Sequence, residues 1–271
     1  MTLLAVEMRR ALRRRVVRVL ILVALLGCAV AGVIAFIDST GKSVADFHAN
    51  ASQHPAMMRD WWVPGTGDGI LVISFLFLML GGFFGGASVA GAEWRAGTVT
   101  TVLTWEPRRV RLHLTRTAAC AILAALISFA LQAVFLAAFL PSVLAHGSRA
   151  GVEAAWVSSL VIAMLRSSLL TAIAATLGVA LATLGRNTAF AIVAVFAWLA
   201  VLEGLVRAHE PGLAKYLWSE NIGTVLPWGQ LENAHFRRGP LLALVTVTLY
   251  VTTITIIAAI AFRRRDIASS T

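Results

Sequence analysis

Charged residues are scarce in this sequence. Asp, Glu, Lys and Arg make up 13% of its 271 residues, whereas 59% are hydrophobic and the mean hydropathy is +0.82. Soluble domains carry about a quarter charged residues and about half apolar ones. The shortage of charge excludes a water-exposed globular domain and indicates a chain whose solvent is mainly lipid.

Lysine is almost absent, since Lys42 and Lys215 are the only two. The basic charge that gives a pI near 11.3 is therefore nearly all arginine. The arginines stand at the ends of apolar runs rather than on one surface of a soluble domain, which excludes nucleic acid as a partner. Together with the abundance of Ala and Val, the arginine bias indicates a bacterial protein from a GC-rich genome.

The sequence also lacks the motifs that mark common enzymes. It contains no HExxH, paired CxxC or GxSxG motif. Residues 39–43 read STGKS, but Phe36 stands where a phosphate-binding P-loop requires Gly. The two cysteines, Cys28 and Cys120, lie at different depths in apolar runs, so we expect buried thiols and no disulfide. We therefore predict no catalytic residue, metal site or cofactor in this chain.

Six long apolar runs dominate the sequence. A helix needs about 20 mainly apolar residues to cross the hydrocarbon layer of a bilayer. The sequence therefore predicts an all-α, polytopic membrane protein in which residues 1–271 form a single transmembrane domain. The predicted spans are 19–37, 69–92, 117–145, 156–185, 187–206 and 240–262.

The distribution of basic residues predicts the orientation of these spans. Six spans put both termini on one side, and with the termini inside, 15 of the 23 Lys and Arg residues, Arg265 among them, are cytoplasmic and 7 are outside. Basic residues are enriched in cytoplasmic loops. We therefore predict a multi-pass protein of the bacterial inner (plasma) membrane with cytoplasmic termini, a cytoplasmic segment at 93–116 and outer loops at 38–68 and 207–239.

Tryptophans near the span ends predict an interfacial aromatic belt. Pro and Gly divide the partly apolar loop 207–239 into short pieces, which predicts one or two short helices resting on the bundle. The tryptophans concerned are Trp61, Trp62 and Trp156 at the outer ends and Trp94 and Trp105 at the inner ends.

Residues 1–18 have a helical pattern in which arginines cover more than half of the helix surface. Two interpretations stay open. The segment is either a positively charged anchor that orients the first span, or an amphipathic helix that lies on anionic lipid headgroups.

The second span contains four glycines at small-xxx-small spacing, which are Gly81, Gly82, Gly85 and Gly86. In lipid such glycines let two helices approach closely. We expect close helix packing within the chain or with a second chain, and the alternative is a flexible hinge of a gate.

The segment EWRAGTVTTVLTWEPRR at 93–109 predicts a short surface helix. We expect Gly97 to break the preceding helix, Thr98 to cap the next one and Pro107 to end it. The pattern is amphipathic. One face carries Ala96, Val99, Val102 and Leu103, and the other carries Gly97, Thr98, Thr100, Thr101 and Thr104.

This arrangement resembles the ABC-2-type permeases, the transmembrane subunits of ABC exporters. The resemblance combines a basic N-terminus, six spans and the pattern Glu-x-x-x-Gly-Thr-x-x-x-x-Leu-x-x-x-Pro-x-Arg after the second span. It covers the topology of nearly the whole chain, but its specific residues all lie within 93–109. They are Glu93, Gly97, Thr98, Leu103, Pro107 and Arg109.

The resemblance implies a permease fold in which residues 97–105 form a cytoplasmic coupling helix. This helix would dock on a separate ATP-binding subunit that holds ATP and Mg²⁺. Two such subunits and a second permease, identical or homologous, would complete a transporter for a hydrophobic or amphipathic drug, lipid or peptide. The implied interface residues are Glu93, Arg95, Gly97, Thr98, Thr101, Thr104, Pro107, Arg108 and Arg109.

Three polar residues within the spans, Gln132, Arg166 and Glu203, are predicted at similar heights in the outer half of the membrane. Intramembrane charges usually face a partner or a cavity. Three roles stay open: an Arg166–Glu203 ion pair, the lining of a gate or substrate path, or snorkelling of the arginine toward the interface.

Two other functions are compatible with six spans. One is a membrane anchor or sensor that transports nothing. The other is a membrane-embedded enzyme that acts on lipids, which would require His, Asp or Ser residues clustered at one interface, and the sequence shows no such cluster.

Overall fold

The computed structural model describes residues 2–49, 53–66 and 68–264 and consists almost entirely of helices. Within these residues, six helical segments are long and apolar enough to cross a membrane, which confirms the predicted number of spans. Arg265 lies outside the described residues. The segments are Arg15–Ser39, Leu71–Arg95, Arg109–His146, Ala154–Gly185, Thr188–His209 and Pro240–Arg264.

The helices are numbered in chain order. They are α1 (Leu3–Leu12), α2 (Arg15–Ser39), α3 (Val44–Ala49), α4 (Leu71–Arg95), α5 (Val99–Trp105), α6 (Arg109–His146), α7 (Ala154–Gly185), α8 (Thr188–Ala197), α9 (Glu203–His209), α10 (Trp218–Val225) and α11 (Pro240–Arg264). A π-helical segment, Trp198–Leu202, joins α8 to α9 within the fifth span. We call the end of the bundle that carries α1, α5 and the last turn of α11 the basal end, and the opposite end the distal end.

The N-terminal segment is two helices rather than one. Helix α1 ends at Leu12, and α2 begins at Arg15 and continues without interruption through the first span. Helix α1 packs against α6, and its residues Glu7 and Ala11 are buried. It is therefore docked on the basal end of the bundle by one face.

Helix α6 is longer than a bilayer is thick. Its 38 residues extend about 57 Å at about 1.5 Å per residue, against about 30 Å of hydrocarbon. Pro141 lies near its C-terminal end, so the helix is unbroken over most of its length. The extra turns project at the basal end, where Arg109 to Arg116 support α5.

Helices α4 and α7 form the central seam of the bundle, and α7 is the most buried of the spans. A Cβ atom on Gly86 would collide with the carbonyl oxygen of Ala175, and one on Gly82 would lie 2.7 Å from Thr171 Cγ2. Gly81 and Gly85 have no such neighbour within 4 Å. Only one of the two glycine pairs is therefore used for packing within the chain.

The distal end has a hydrophobic core of its own. Trp61, Trp62 and Trp156 are all buried there, and the Trp156 indole donates a 2.9 Å hydrogen bond to the carbonyl of Trp62. The expectation of an interfacial belt at these three positions is therefore wrong. The indoles of Trp61 and Trp156 donate to backbone carbonyls inside the protein, with Trp61 bonding to Pro55 at 2.8 Å.

Short elements cover this distal core. The segment after α2 contains α3 and a 3₁₀ turn, Met58–Trp61. The segment after α9 contains a second 3₁₀ turn, Pro211–Tyr216, followed by α10 and a small antiparallel hairpin that pairs Leu231–Glu232 with Arg237–Arg238. Short helices thus occur in the region where the Pro and Gly pattern predicted them.

Candidate functional site

The turn between α4 and α5 is formed by Gly97, whose φ of +65° suits glycine. The Thr98 amide donates to the Glu93 carbonyl at 3.1 Å, and the Gly97 amide donates to the Trp94 carbonyl at 3.3 Å. These two bonds satisfy the last carbonyls of α4 in a Schellman motif. The predicted helix break at Gly97 is therefore present.

The predicted capping of α5 by Thr98 is wrong. Thr98 has helical backbone angles, and its side chain makes no capping hydrogen bond. The hydroxyl of Thr100 instead donates to the Gly97 carbonyl at 3.1 Å, and that of Thr104 donates to the Thr100 carbonyl. The chain enters α5 from the Schellman turn already helical, so it has no extended residue that could act as a cap.

Helix α5 is amphipathic in the structure. Val99 is buried, Val102 and Leu103 are partly buried, and this face packs against Leu112 of α6 and Phe262 of α11. Ala96, which was expected on the same face, is exposed because it precedes the turn at Gly97. The apolar face therefore seats α5 on two spans.

The opposite face of α5 is open. We define the α5 surface as the exposed residues between 95 and 108, which are Arg95, Ala96, Gly97, Thr98, Thr100, Thr101, Thr104, Trp105, Pro107 and Arg108. Arg109 is half-buried beside them. Hydroxyls and one aromatic ring thus lie on α5 and an arginine flanks it at each end, a composition that suits contact with another protein.

Trp105 is the member of this surface that the sequence interpretation missed. We expected it in an aromatic belt, but its side chain is 87% exposed at the end of α5. An exposed tryptophan offers a large apolar area to a partner. The signal available in the sequence was its position just before Pro107, which ends the helix. A chain that turns back toward a span at such a point exposes the residues of the turn.

Glu93 is placed differently from the expectation that it belongs to an interface. Its side chain is 2% exposed, accepts a hydrogen bond from Arg14 Nη2 at 2.8 Å, and forms ion pairs with Arg116 Nη2 at 2.7 Å and Arg10 Nη2 at 3.3 Å. Contact of this carboxylate with an external partner is therefore excluded in this conformation. Glu93 lies beneath the α5 surface and supports it indirectly, because its ion pairs hold the end of α4 in place.

Glu7 completes this buried ion network. It is 4% exposed, accepts Arg116 Nε at 3.3 Å and lies 3.6 Å from Arg10 Nη1. The network joins α1, α4 and α6 through two glutamates and three arginines. Glu7 is the only acidic residue among the first 18, and this isolated acid among arginines was a signal in the sequence for an internal partner.

Burial affects the charges of this network. Burial lowers the pKa of the Arg14 guanidinium, and the nearby Glu93 carboxylate opposes that effect by favouring the charged form. Removing one member of a buried ion pair costs about 3–5 kcal/mol, because the remaining charge stays buried without compensation. The five side chains therefore depend on one another for the docking of α1.

Gln132, Arg166 and Glu203 do not form a single cluster. Gln132 is fully buried and donates to the Ser128 carbonyl at 3.1 Å and to Ser168 Oγ at 3.2 Å. It joins α6 to α7 within the bundle.

Arg166 and Glu203 are not paired with each other in the part of the chain that the structure describes. The Arg166 guanidinium lies 4.7 Å from the ring centroid of Trp228. Glu203 accepts the Trp218 amide at 2.8 Å, Arg207 Nη2 at 3.2 Å and the hydroxyl of Ser219. Arg207 lies one turn away on the same helix and supplies the counter-charge, so the Arg166–Glu203 ion pair, one of the three roles left open above, is not formed.

No family model matches this sequence, and a search of the curated proteins found none that is similar to it.

Proposed function

We propose that this chain is the transmembrane permease subunit of an ATP-driven transporter of the ABC-2 type. The observation that carries the proposal is the α5 surface, an exposed helical face that is seated on α6 and α11 and bounded by the turns at Gly97 and Pro107. The six spans supply the membrane part, and the ATPase site belongs to a partner. The proposed partners are two ATP-binding subunits and a second permease, identical or homologous.

In this proposal both termini are cytoplasmic, in a bacterial inner membrane. The basal end then faces the compartment that contains ATP, and the α5 surface meets the ATP-binding subunit there. The proposed cargo is a hydrophobic or amphipathic compound that moves outward, because the spans are apolar over most of their length.

The structure suggests how force would pass from the partner to the spans. Helix α5 contacts α6 and α11 through its apolar face. It is joined to α4 by the Schellman turn, and Glu93 at the end of α4 holds α1. A displacement of α5 would thus act on several elements together. ATP can drive such a change only if its binding favours one of the two states.

Co-purification tests the proposal. The full chain is isolated in a mild detergent from cells of its own organism, and the proteins that copurify with it are examined for an ATP-binding subunit. We expect the ATPase to be recovered with the wild-type chain and lost with Thr101→Trp, because the added indole stands in the middle of the α5 surface.

Thr66→Trp, which adds the same side chain to an exposed position at the distal end, is the matched control and should retain the ATPase. Loss of the ATPase in both variants, or in neither, contradicts docking at α5. Failure of the wild-type chain to bring down any ATPase favours an anchor, a sensor or a lipid-processing enzyme instead.

A further inference from the structure

An open cleft of about 480 Å³ lies beside the turn between α1 and α2. Its lining residues are Val6, Arg9, Arg10, Arg13 and Arg14. The arginines occur at i, i+1, i+4 and i+5, so that they fall on one side of α1 and its C-terminal turn. The walls are mainly apolar, as expected where long arginine side chains contribute their methylene groups.

The surroundings of this arginine cleft are strongly positive. Arg10 and Arg14 share the carboxylate of Glu93 with Arg116. Among the residues that the structure describes, the cleft and the buried ion network together contain five arginines and two glutamates. The excess positive charge favours an anion, and the guanidinium groups match the geometry of phosphate oxygens.

The position of the cleft identifies where the anion comes from. Helix α2 begins at Arg15 and is the most apolar of the six spans, so the cleft lies just before the apolar run that starts at residue 19. Exposed apolar side chains flank it, with Val6 43%, Leu12 40% and Val16 47% exposed. A ligand that places a phosphate on the arginines and an acyl chain along these side chains is an amphiphile of the membrane itself.

We propose that the arginine cleft binds the phosphate of an anionic membrane phospholipid. The binding is a property of this chain alone and does not require the ATP-binding partner of the preceding section. It is also independent of which side of the membrane the basal end faces.

Native mass spectrometry of the purified full chain in a neutral detergent measures this binding, with phosphatidylglycerol and phosphatidylcholine as the probes. We expect the wild-type chain to retain phosphatidylglycerol in preference to phosphatidylcholine. The double variant Arg9→Gln, Arg13→Gln should weaken phosphatidylglycerol binding by about thirtyfold, because each arginine close to an anionic lipid contributes about fivefold. This variant keeps all five members of the buried ion network.

Arg15→Gln, Arg18→Gln is the matched control, because it removes two exposed arginines from the next turns of the chain without altering the cleft. We expect it to weaken binding at most about threefold, since exposed charges beyond the cleft are screened. Equal losses in the two double variants would mean that only the general surface potential attracts the lipid, and the proposal would fail.

Val6→Trp provides a test that leaves the charge unchanged, because the larger side chain fills the cleft. It should weaken phosphatidylglycerol binding at least tenfold, and undiminished binding overturns the proposal even if the arginine variant does not fold. Full displacement of phosphatidylglycerol by excess inorganic phosphate would assign the cleft to a free anion rather than to a lipid. A wild-type chain that binds both lipids equally overturns it as well.

Discussion

At the scale of single residues, Glu93 is where the buried charges of the basal end converge. It stands in the last turn of α4, where the negative end of the helix dipole disfavours a carboxylate. Arg10, Arg14 and Arg116 compensate for that position from two other helices. Ion pairs with residues distant in sequence thus stabilise a carboxylate at a helix end where the helix dipole disfavours it.

Replacing Glu93 by Gln tests how much this arrangement contributes. The substitution keeps the shape of the side chain but removes the carboxylate charge beside Arg10, Arg14 and the buried Arg116. We expect a loss of about 3–5 kcal/mol in the free energy of unfolding. Thermal unfolding of the purified protein in detergent, followed by circular dichroism, measures the change.

Glu232→Gln is the control, because its ion pair with Arg237 is exposed, with the two side chains 63% and 67% accessible. Exposed pairs contribute about 0–1 kcal/mol. Similar unfolding temperatures for the two variants would contradict a stabilising role of the buried network.

Among the helices, α4 and α7 can pack closely because glycines, which have no side chain, lie at their contact. Gly86 faces the backbone of α7 at Ala175, and on the facing helix Gly178 approaches the carbonyl of Phe83 just as closely. Backbones that lie this close leave no room for a Cβ atom. The spacing of the glycines in the sequence predicted close packing but not which of the two pairs would be used.

Gly86→Ala and Gly85→Ala separate the two faces of α4. The first variant should lose about 1–3 kcal/mol of stability, because the added methyl group forces the helices apart. The second should be neutral or gain up to about 1 kcal/mol, since alanine is the better helix former and its methyl group meets no atom within 4 Å. Thermal unfolding in detergent distinguishes them, and equal effects would contradict the packing described here.

Span five shows why some element boundaries were not predictable. Its apolar run reads as one helix from the sequence, yet Trp198–Leu202 is π-helical and Glu203 follows directly. Glu203 is buried because Trp218 and Ser219 at the start of α10 bring their hydrogen-bond donors to it. These donors come from a segment 15 residues further along the chain, which hydropathy does not report.

For the whole molecule, the distribution of Lys and Arg residues predicts the orientation in the membrane. A chain in which Cys28 and Cys120 are replaced by Ala keeps only cysteines that are introduced. Thr101→Cys and Thr66→Cys then place one exposed thiol at the basal and the distal end respectively.

A membrane-impermeant maleimide applied to intact cells should label the Thr66→Cys protein. It should label the Thr101→Cys protein only after the membrane is permeabilised. The reverse pattern would place both termini outside and would remove the α5 surface from the compartment that contains ATP.

The number of spans follows from local composition, because an apolar run either is or is not long enough to cross the fixed thickness of the hydrocarbon layer. The turn at Gly97 and the helix end at Pro107 follow from the backbone preferences of single residues.

Which side chains meet depends on the packing of the helices and could not be read from local composition. In the structure Glu93 is buried against arginines of α1 and α6, and Trp105 is exposed. Glu203 forms its ion pair with Arg207 instead of Arg166. Hydropathy predicts the depth of a residue in the membrane but not the rotation of its helix about its own axis. That rotation is set by the packing of neighbouring helices, and in this protein it separates the buried ion network from the exposed α5 surface.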